Sequence, residues 1–284
     1  MSLGDDPRFR DIKVYLVAHN APCVNDTPLI NAVLAIKTSM GKAHERGVGY
    51  YIYNYDRGRV GEWMIEAARG FPSVLEHVVF TFFIDGITRV CSHQLVRHRM
   101  MSVTQESQRY TESRIVRCLE CIYSVYVNKW VEDAYFYHGE VWGRETEFYM
   151  AEHSVEYDVW MTYLEALKAL IHRYLDPEQV HHCLDEAFNV ELCGGVNTVV
   201  QSLMDYVYAR IEGREPEDAR YLLPQCARTS MLITVNLREL LHIAKLRLSD
   251  RAQDEIRYVV AKMLDEVRKV VPMIDDLVVV CDDR

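Results

Sequence analysis

The sequence predicts an α+β fold, a mostly antiparallel sheet packed with helices. Short runs rich in β-branched and aromatic residues recur along the chain, apolar stripes at helical spacing fill its middle and its C-terminal part, and segments of the two kinds alternate.

Asp11–Val17 (DIKVYLV) alternates polar and apolar residues, the pattern of a first strand with one face buried. A helical stretch follows near Leu29–Lys37, and Tyr51, Tyr53 and Tyr55 alternate as packing residues on a strand face would. Gly61–Arg69 reads as helix, and Val78–Ile84 (VVFTFFI) as a buried strand that ends at the turn pair Asp85-Gly86. From Ile87 the period changes: Ile87, Val90, Cys91 and Leu95 recur at helical spacing, which places Gln94 and Arg97 together on another face. In the richly helical middle, Phe148, Val155, Val159, Leu164, Leu167, Leu170 and Ile171 form one stripe, and Asp176-Pro177 stops it.

A short helix beginning near Pro216 is ended by Pro224, and Thr229–Val235 (TSMLITV) is a strand whose successor Asn236 can cap the next helix. There Leu237, Leu241, Ala244 and Leu248 face inward, while Arg238, His242 and Lys245 face outward. Arg247 lies half a turn from Arg238 and so borders the apolar flank, where an unpaired guanidinium is expensive. Asp250 with Gln253 resembles a capping box opening a final helix, whose stripe runs Ala252, Ile256, Val259, Val260, Met263, Val267 and Val270, up to Pro272.

No Gly/Ser linker or fixed-period repeat divides the 284 residues, which are therefore expected to form a single domain over residues 1–284. Such a length buries a sizeable core without needing disulfides or a metal. The balance of 32 Lys+Arg against 42 Asp+Glu gives a net charge of −10, which excludes a protein that coats nucleic acid by bulk electrostatics but permits a local basic site. The longest apolar runs, Val78–Ile84 and Leu277–Cys281, fall far short of the ~20 residues of a membrane helix. The opening residues Met1–Asp6 have neither the basic start nor the apolar core of a secretory signal. The expectation is a soluble cytoplasmic protein, with no membrane or nucleic-acid partner, whose eight cysteines are free and mostly buried thiols.

Between Arg89 and Arg117 stand six arginines and no lysine, against only Glu106 and Glu112. The planar guanidinium fork binds phosphate or carboxylate oxygens in pairs, so an arginine-only cluster points to anion recognition. Two cationic side chains in Arg97-His98-Arg99 precede a short loop that carries Ser107, Gln108 and Arg109, where a hydroxyl, a guanidinium and backbone N–H groups could cradle a phosphate. A surface loop paired with the acidic excess would use the same residues. Cys118-Leu-Glu-Cys121, with His181, His182, Cys183 and Cys193, could assemble a zinc site, but a single CxxC is a weak signal and none is expected.

Arg-His-Arg, then seven residues, then Ser (Arg97 to Ser107) is similar to the signature of flavin-dependent thymidylate synthases. The resemblance extends to Glu76-His77, Phe80-Thr81-Phe82, Gln94 and Ser107–Tyr110. It resumes at Ala219–Pro224, Asn236-Leu237-Arg238 and Leu246-Arg247-Leu248. It implies reductive methylation of dUMP to dTMP, with methylenetetrahydrofolate as one-carbon donor and NADPH-reduced FAD as hydride source, in a homotetramer with shared active sites. dUMP would be held by Gln94, Arg97, Gln105, Glu106, Ser107, Gln108, Arg109, Arg220 and Arg247, the last being the catalytic residue, which favours ionisation of the pyrimidine ring nitrogen. FAD would meet Ser39, Ser73, Glu76, Arg97, His98, Arg99, Met100, Gln105, Asn236, Arg238 and His242.

Thr104, Gln105 and Arg251 depart from the family pattern, which motivates one alternative, a flavin enzyme that modifies a pyrimidine nucleotide differently, for example by hydroxymethylation; the alternative from another class is a non-catalytic nucleotide-binding paralogue. The 109 residues between Tyr110 and Arg220 are about twice the family's expected length, so residues 115–205 read as a helical insertion. For Arg247 the competing assignment is a salt bridge to Asp250 or Glu255.

Overall fold

The computed structural model describes residues 6–22, 27–54, 57–109, 112–137 and 155–282. The chain divides into two compact units, Met1–Gln105 with Thr229–Arg284, and Glu106–Arg228.

The first unit is built on four strands, β1 (Lys13–His19), β2 (Val79–Thr88), β3 (Met101–Gln105) and β4 (Arg228–Asn236), in the order β1-β2-β4-β3. β1 pairs antiparallel with β2, Lys13 opposite Asp85, and β3 antiparallel with β4, Met101 opposite Val235. Across the centre, Thr81 meets Thr234 at 3.0 Å and Asp85 meets Ser230 at 2.7 Å; β2 and β4 run in opposite directions, so this pair is antiparallel too. Alternate residues of the two central strands (Phe80, Phe82 and Ile84; Met231, Ile233 and Val235) are fully buried, the period-two pattern that fixes register. Truncating Phe82 to alanine would cost about 3–5 kcal/mol at such a site.

Helices α1 (Leu29–Ser39), α2 (Lys42–Arg46), α3 (Val48–Tyr53), α4 (Arg57–Gly70) and α5 (Arg89–Leu95) follow β1, and α11 (Leu237–Arg247), α12 (Asp254–Arg268) and α13 (Ile274–Asp282) close the unit. α4 buries Val60, Met64, Ala67 and Ala68, one stripe at helical spacing, and α12 buries Ile256, Val259, Val260, Met263 and Val267.

Several local expectations are corrected. The tyrosine alternation belongs to a helix: Gly47, at φ 82°, restarts the chain as α3, where Tyr51 is buried and Tyr53 exposed, while Tyr55 lies outside the described residues. β2 does not stop at Asp85-Gly86, because Gly86 takes φ 81° within the strand and the Ser230 hydroxyl donates to the Asp85 carboxylate. Ile87 is therefore strand, and α5 ends at Leu95, so Arg97 sits in the following turn and shares no helical face with Gln94. Ser107–Arg109 lie in a loop, but the residues between Arg99 and that loop form β3, a strand the sequence pattern does not mark. Asp250 does not cap α12, whose first flanking residue is Gln253; Asp250 pairs with Arg257 at 3.3 Å. The apolar tail folds as α13 and packs on α4 and α11.

The second unit contains α6 (Ser113–Tyr137), α7 (Val155–Ile171), α8 (Pro177–Asp185), α9 (Val196–Ile211) and α10 (Pro216–Ala219) around Leu119, Ile122, Leu164, Leu167, Val180, Leu184, Leu203 and Val207. Phe148 of the expected stripe lies outside the described residues. Asp176-Pro177 opens α8 instead of closing α7: the Asp176 carboxylate accepts the Glu178 N–H at 3.0 Å and proline occupies the first turn, where its missing N–H costs nothing.

The expectation of free thiols fails for four cysteines. Cys121 is bonded to Cys183 and Cys193 to Cys226, each pair with Cα atoms 5.5 Å apart, while Cys91 and Cys118 are free and buried. Among the described residues no helix is long and apolar enough to cross a membrane.

Candidate functional site

In the first unit the site begins where β2 turns into α5. Thr88 caps that helix, its hydroxyl accepting the Cys91 N–H at 3.2 Å while donating to Glu255 at 2.6 Å. The Thr88 N–H reaches the same carboxylate at 2.7 Å, and Glu255 is 1% exposed, so α12 clamps the start of α5 from within the core. At the other end of α5 come Gln94, whose side chain bonds Gln253, and the Arg97-His98-Arg99 turn.

His98 is buried. Its Nε2 accepts the Arg247 Nε–H at 3.0 Å, its Nδ1 lies 3.9 Å from the Glu239 carboxylate, and its ring meets His242 edge-on with centroids 6.2 Å apart. Burial first, then the charges of Arg247 and His242, push the His98 pKa down from 6.5 to about 4, so the imidazole is neutral near pH 7 and can accept this bond. Burial raises the Glu239 carboxyl, opposed by His242 and Arg238.

Arg247 also donates to the Gln94 carbonyl at 3.5 Å. Neither competing partner takes it: Asp250 pairs with Arg257 and Glu255 binds Thr88. The result is a half-buried guanidinium oriented by a neutral ring and a carbonyl, with no carboxylate ion pair among the described residues. Arg97 and Arg99, which flank His98 in sequence, are exposed and likewise make no ion pair among the described residues. Such a donor set suits a bound anion.

His98 gives the protein a pH dependence. The unfolded chain takes up this proton near pH 6.5 and the folded chain only near pH 4, so stability falls as pH drops through that window. By pH 5 the loss should reach about 2 kcal/mol relative to pH 8. Urea midpoints at pH 8, 6 and 5 check this, and His98→Gln should flatten the slope.

Of the remaining flavin-assigned residues, Asn236, Arg238, Ser73 and Glu76 lie at α11 or on the turn packed against it. Asn236 caps α11, accepting the Glu239 N–H at 2.9 Å, and Arg238 pairs with Glu76 at 2.5 Å. Ser73 and Glu76 share the turn Pro72–His77, against which both α1 and α11 pack. Ser39 ends α1 with its hydroxyl on the Ile36 carbonyl at 2.8 Å, and Met100 is exposed. Gln105 donates its amide to Ser92 at 2.9 Å and Thr229 at 3.3 Å.

The other nucleotide-assigned residues belong to the second unit. Glu106 pairs with Arg114 at 3.0 Å, and the Ser107 hydroxyl accepts the Arg109 N–H at 3.2 Å, with Gln108 between them. Arg109 and Arg220 converge on one residue: Arg109 meets the Glu217 carboxylate at 2.8 Å, and Arg220 Nε donates to the Glu217 carbonyl at 3.0 Å. Sequence reasoning missed Glu217 and Glu239, the contact of Gln253 with Gln94 and the role of Glu255; each meets a segment remote in sequence, and only the acidic start at Glu217-Asp218 was a local signal.

A model of the thymidylate synthase complementing protein family matches residues 25–273. The flavin-dependent thymidylate synthase of Pyrococcus abyssi is 34% identical over 200 residues, 70% of this chain, and the chain spans 59% of the length of that relative. That of Sulfolobus acidocaldarius is 31% identical over 242 residues, 84% of this chain and 69% of the relative. Among solved structures, flavin-dependent thymidylate synthase ThyX from Helicobacter pylori, complexed with FAD and dUMP, superimposes with a TM-score of 0.54 at 20% identity, covering 89% of this chain and 93% of that one. The UMP/dUMP methylase PolB from Streptomyces cacaoi, bound with 5-Br dUMP, gives 0.54 at 20% identity, with 94% of each chain covered. These two likenesses are of fold. With the family model extending over most of the sequence, and the motif that suggested it lying inside the matched region, the chain belongs to the thymidylate synthase complementing protein family.

Proposed function

We propose that this chain is a flavin-dependent thymidylate synthase, converting dUMP to dTMP with methylenetetrahydrofolate as one-carbon donor and NADPH as the source of reducing equivalents. The observation that carries the reading is Arg247, oriented by neutral His98 and left without a carboxylate ion pair among the described residues. A cation so placed can stabilise negative charge developing on a pyrimidine ring nitrogen. The names of the Pyrococcus abyssi and Sulfolobus acidocaldarius relatives support the same activity.

Glu76, Arg97, His98, Arg99, Arg238 and His242 would hold FAD, together with Ser39, Ser73, Met100, Gln105 and Asn236; three arginines in that set suit its pyrophosphate. When bound, FAD supplies hydride transfer. Gln94, Arg97, Gln105, Glu106, Ser107, Gln108, Arg109, Arg220 and Arg247 would hold dUMP. The Arg109–Glu217 pair is about half exposed on both sides, and such pairs contribute ~0–1 kcal/mol, whereas a charge-assisted bond to phosphate gives about 1.5–3 kcal/mol. A phosphate therefore displaces Glu217. Arg109→Ala should weaken dUMP binding roughly ten- to a hundredfold in calorimetry while changing FAD affinity little.

Purified protein should carry flavin absorbance, and incubation with dUMP, methylenetetrahydrofolate and NADPH should yield dTMP by mass spectrometry. A different product would favour another pyrimidine modification, a reading to which the amide at Gln105 lends some support because the family often has a carboxylate there. A colourless protein that cannot be reconstituted with FAD would favour the nucleotide-binding paralogue. The reading further includes a homotetramer with shared active sites, acting in the cytoplasm; light scattering of the eluting protein tests the assembly.

A further inference from the structure

Unit two holds a cluster that neither dUMP nor flavin chemistry uses. Cys121 on α6 and Cys183 on α8 are joined, and the His182 Nε2 lies 3.5 Å from one sulfur and 3.4 Å from the other. We propose that Cys121, His182 and Cys183 form a zinc site in the reduced protein, for which the disulfide is the oxidised, metal-free state.

Three observations carry the proposal. A tetrahedral ion with Zn–S near 2.3 Å and Zn–N near 2.0–2.1 Å separates a sulfur and a nitrogen ligand by about 3.6 Å, close to both distances found here. The three ligand atoms lie within 4.8 Å of one another and form the one such group among the described residues. His182 is exposed and has no carboxylate partner among the described residues, whereas its neighbour His181 is tied to Asp185 at 3.1 Å. The wider ligand set open to the sequence is narrowed accordingly. Cys118 is fully buried, its thiol pushed far up by burial and by Glu186, and Cys193 is bonded to Cys226.

Loading follows from thiol chemistry. An external dithiol breaks the Cys121–Cys183 bond, delivering two electrons and two protons to the sulfurs and leaving as its own disulfide. Zinc then displaces the two thiol protons, so two thiolates and a neutral imidazole surround the ion with no net charge, and a water completes the tetrahedron. In a reducing compartment the dithiol is the stable form.

The test uses the full-length protein, reduced with a phosphine and desalted without oxygen, and the same protein with its disulfides intact. Both are exposed to zinc chloride, and bound metal is counted by mass spectrometry. Reduced protein should retain about one zinc per chain and oxidised protein essentially none. His182→Ala, a change at an exposed position, should lower the zinc affinity of the reduced form by at least about tenfold, and His181→Ala should not. Thiols elsewhere, the Cys193–Cys226 pair included, would bind regardless of His182. Zinc affinity unaltered by His182→Ala, equal loading of oxidised protein, or no zinc on reduced protein would each overturn the assignment.

Discussion

Arg247→Ala is expected to leave FAD bound and reduce turnover by roughly a hundred- to a thousandfold, the scale of losing one oriented donor at a site of developing charge. The prediction follows from how the side chain is held. Its Nε donates to His98 and a terminal nitrogen to the Gln94 carbonyl, contacts that fix direction without cancelling charge. Lysine has one charge centre and no fork, so Arg247→Lys should recover only part of the loss. Single-turnover kinetics with pre-reduced enzyme separate this step from flavin reduction. If Arg247→Ala turned over dUMP at a near-normal rate, its assigned role would be wrong.

Glu255→Ala should be the most destabilising single change near the site. Two bonds from Thr88 end on this buried carboxylate, and its removal leaves a buried N–H and hydroxyl without their acceptor. At about 1–3 kcal/mol for each of the two orphaned groups, the expected cost is roughly 2–6 kcal/mol. For a chain of this size that lowers Tm by about 10 °C, readable by calorimetry. Glu255→Gln keeps the volume and one acceptor and should lose less. Because Thr88 caps α5, the alanine variant should also loosen Gln94 and His98. Activity measured well below its Tm should then fall, whereas a core truncation such as Phe82→Ala should lower Tm alone.

Much of this architecture was legible in the sequence because burial imposes period. The runs around Phe80–Phe82 and Met231–Val235 and the stripes of α4 and α12 announced themselves, and Asn236 fell where a cap was needed. Segments of five or six residues did not. β3 alternates Met-Ser-Val-Thr-Gln without a bulky run, and α3 is too short for its tyrosines to reveal a helical repeat. Cysteine pairing was unreadable, since connectivity depends on which helices meet. At the site, residue types such as Arg247 and His98 stood out locally. Their partners Glu239 and Gln94, and the pairing of Arg109 with Glu217, are set by tertiary packing.

The chain leaves the first unit after Gln105, at the end of β3, and returns at Thr229 near the start of β4. These strands are antiparallel neighbours, with Gln105 opposite Met231. To the sheet, residues 106–228 are thus a single hairpin loop, closed at its root by the same ladder a tight turn would close. Loop-closure entropy grows only by about 0.6 kcal/mol per doubling of length, so the roughly six doublings from a tight turn to this span add on the order of 4 kcal/mol. Length at this point is free to vary, and the register that aligns β2, β4 and β3 need not change with it.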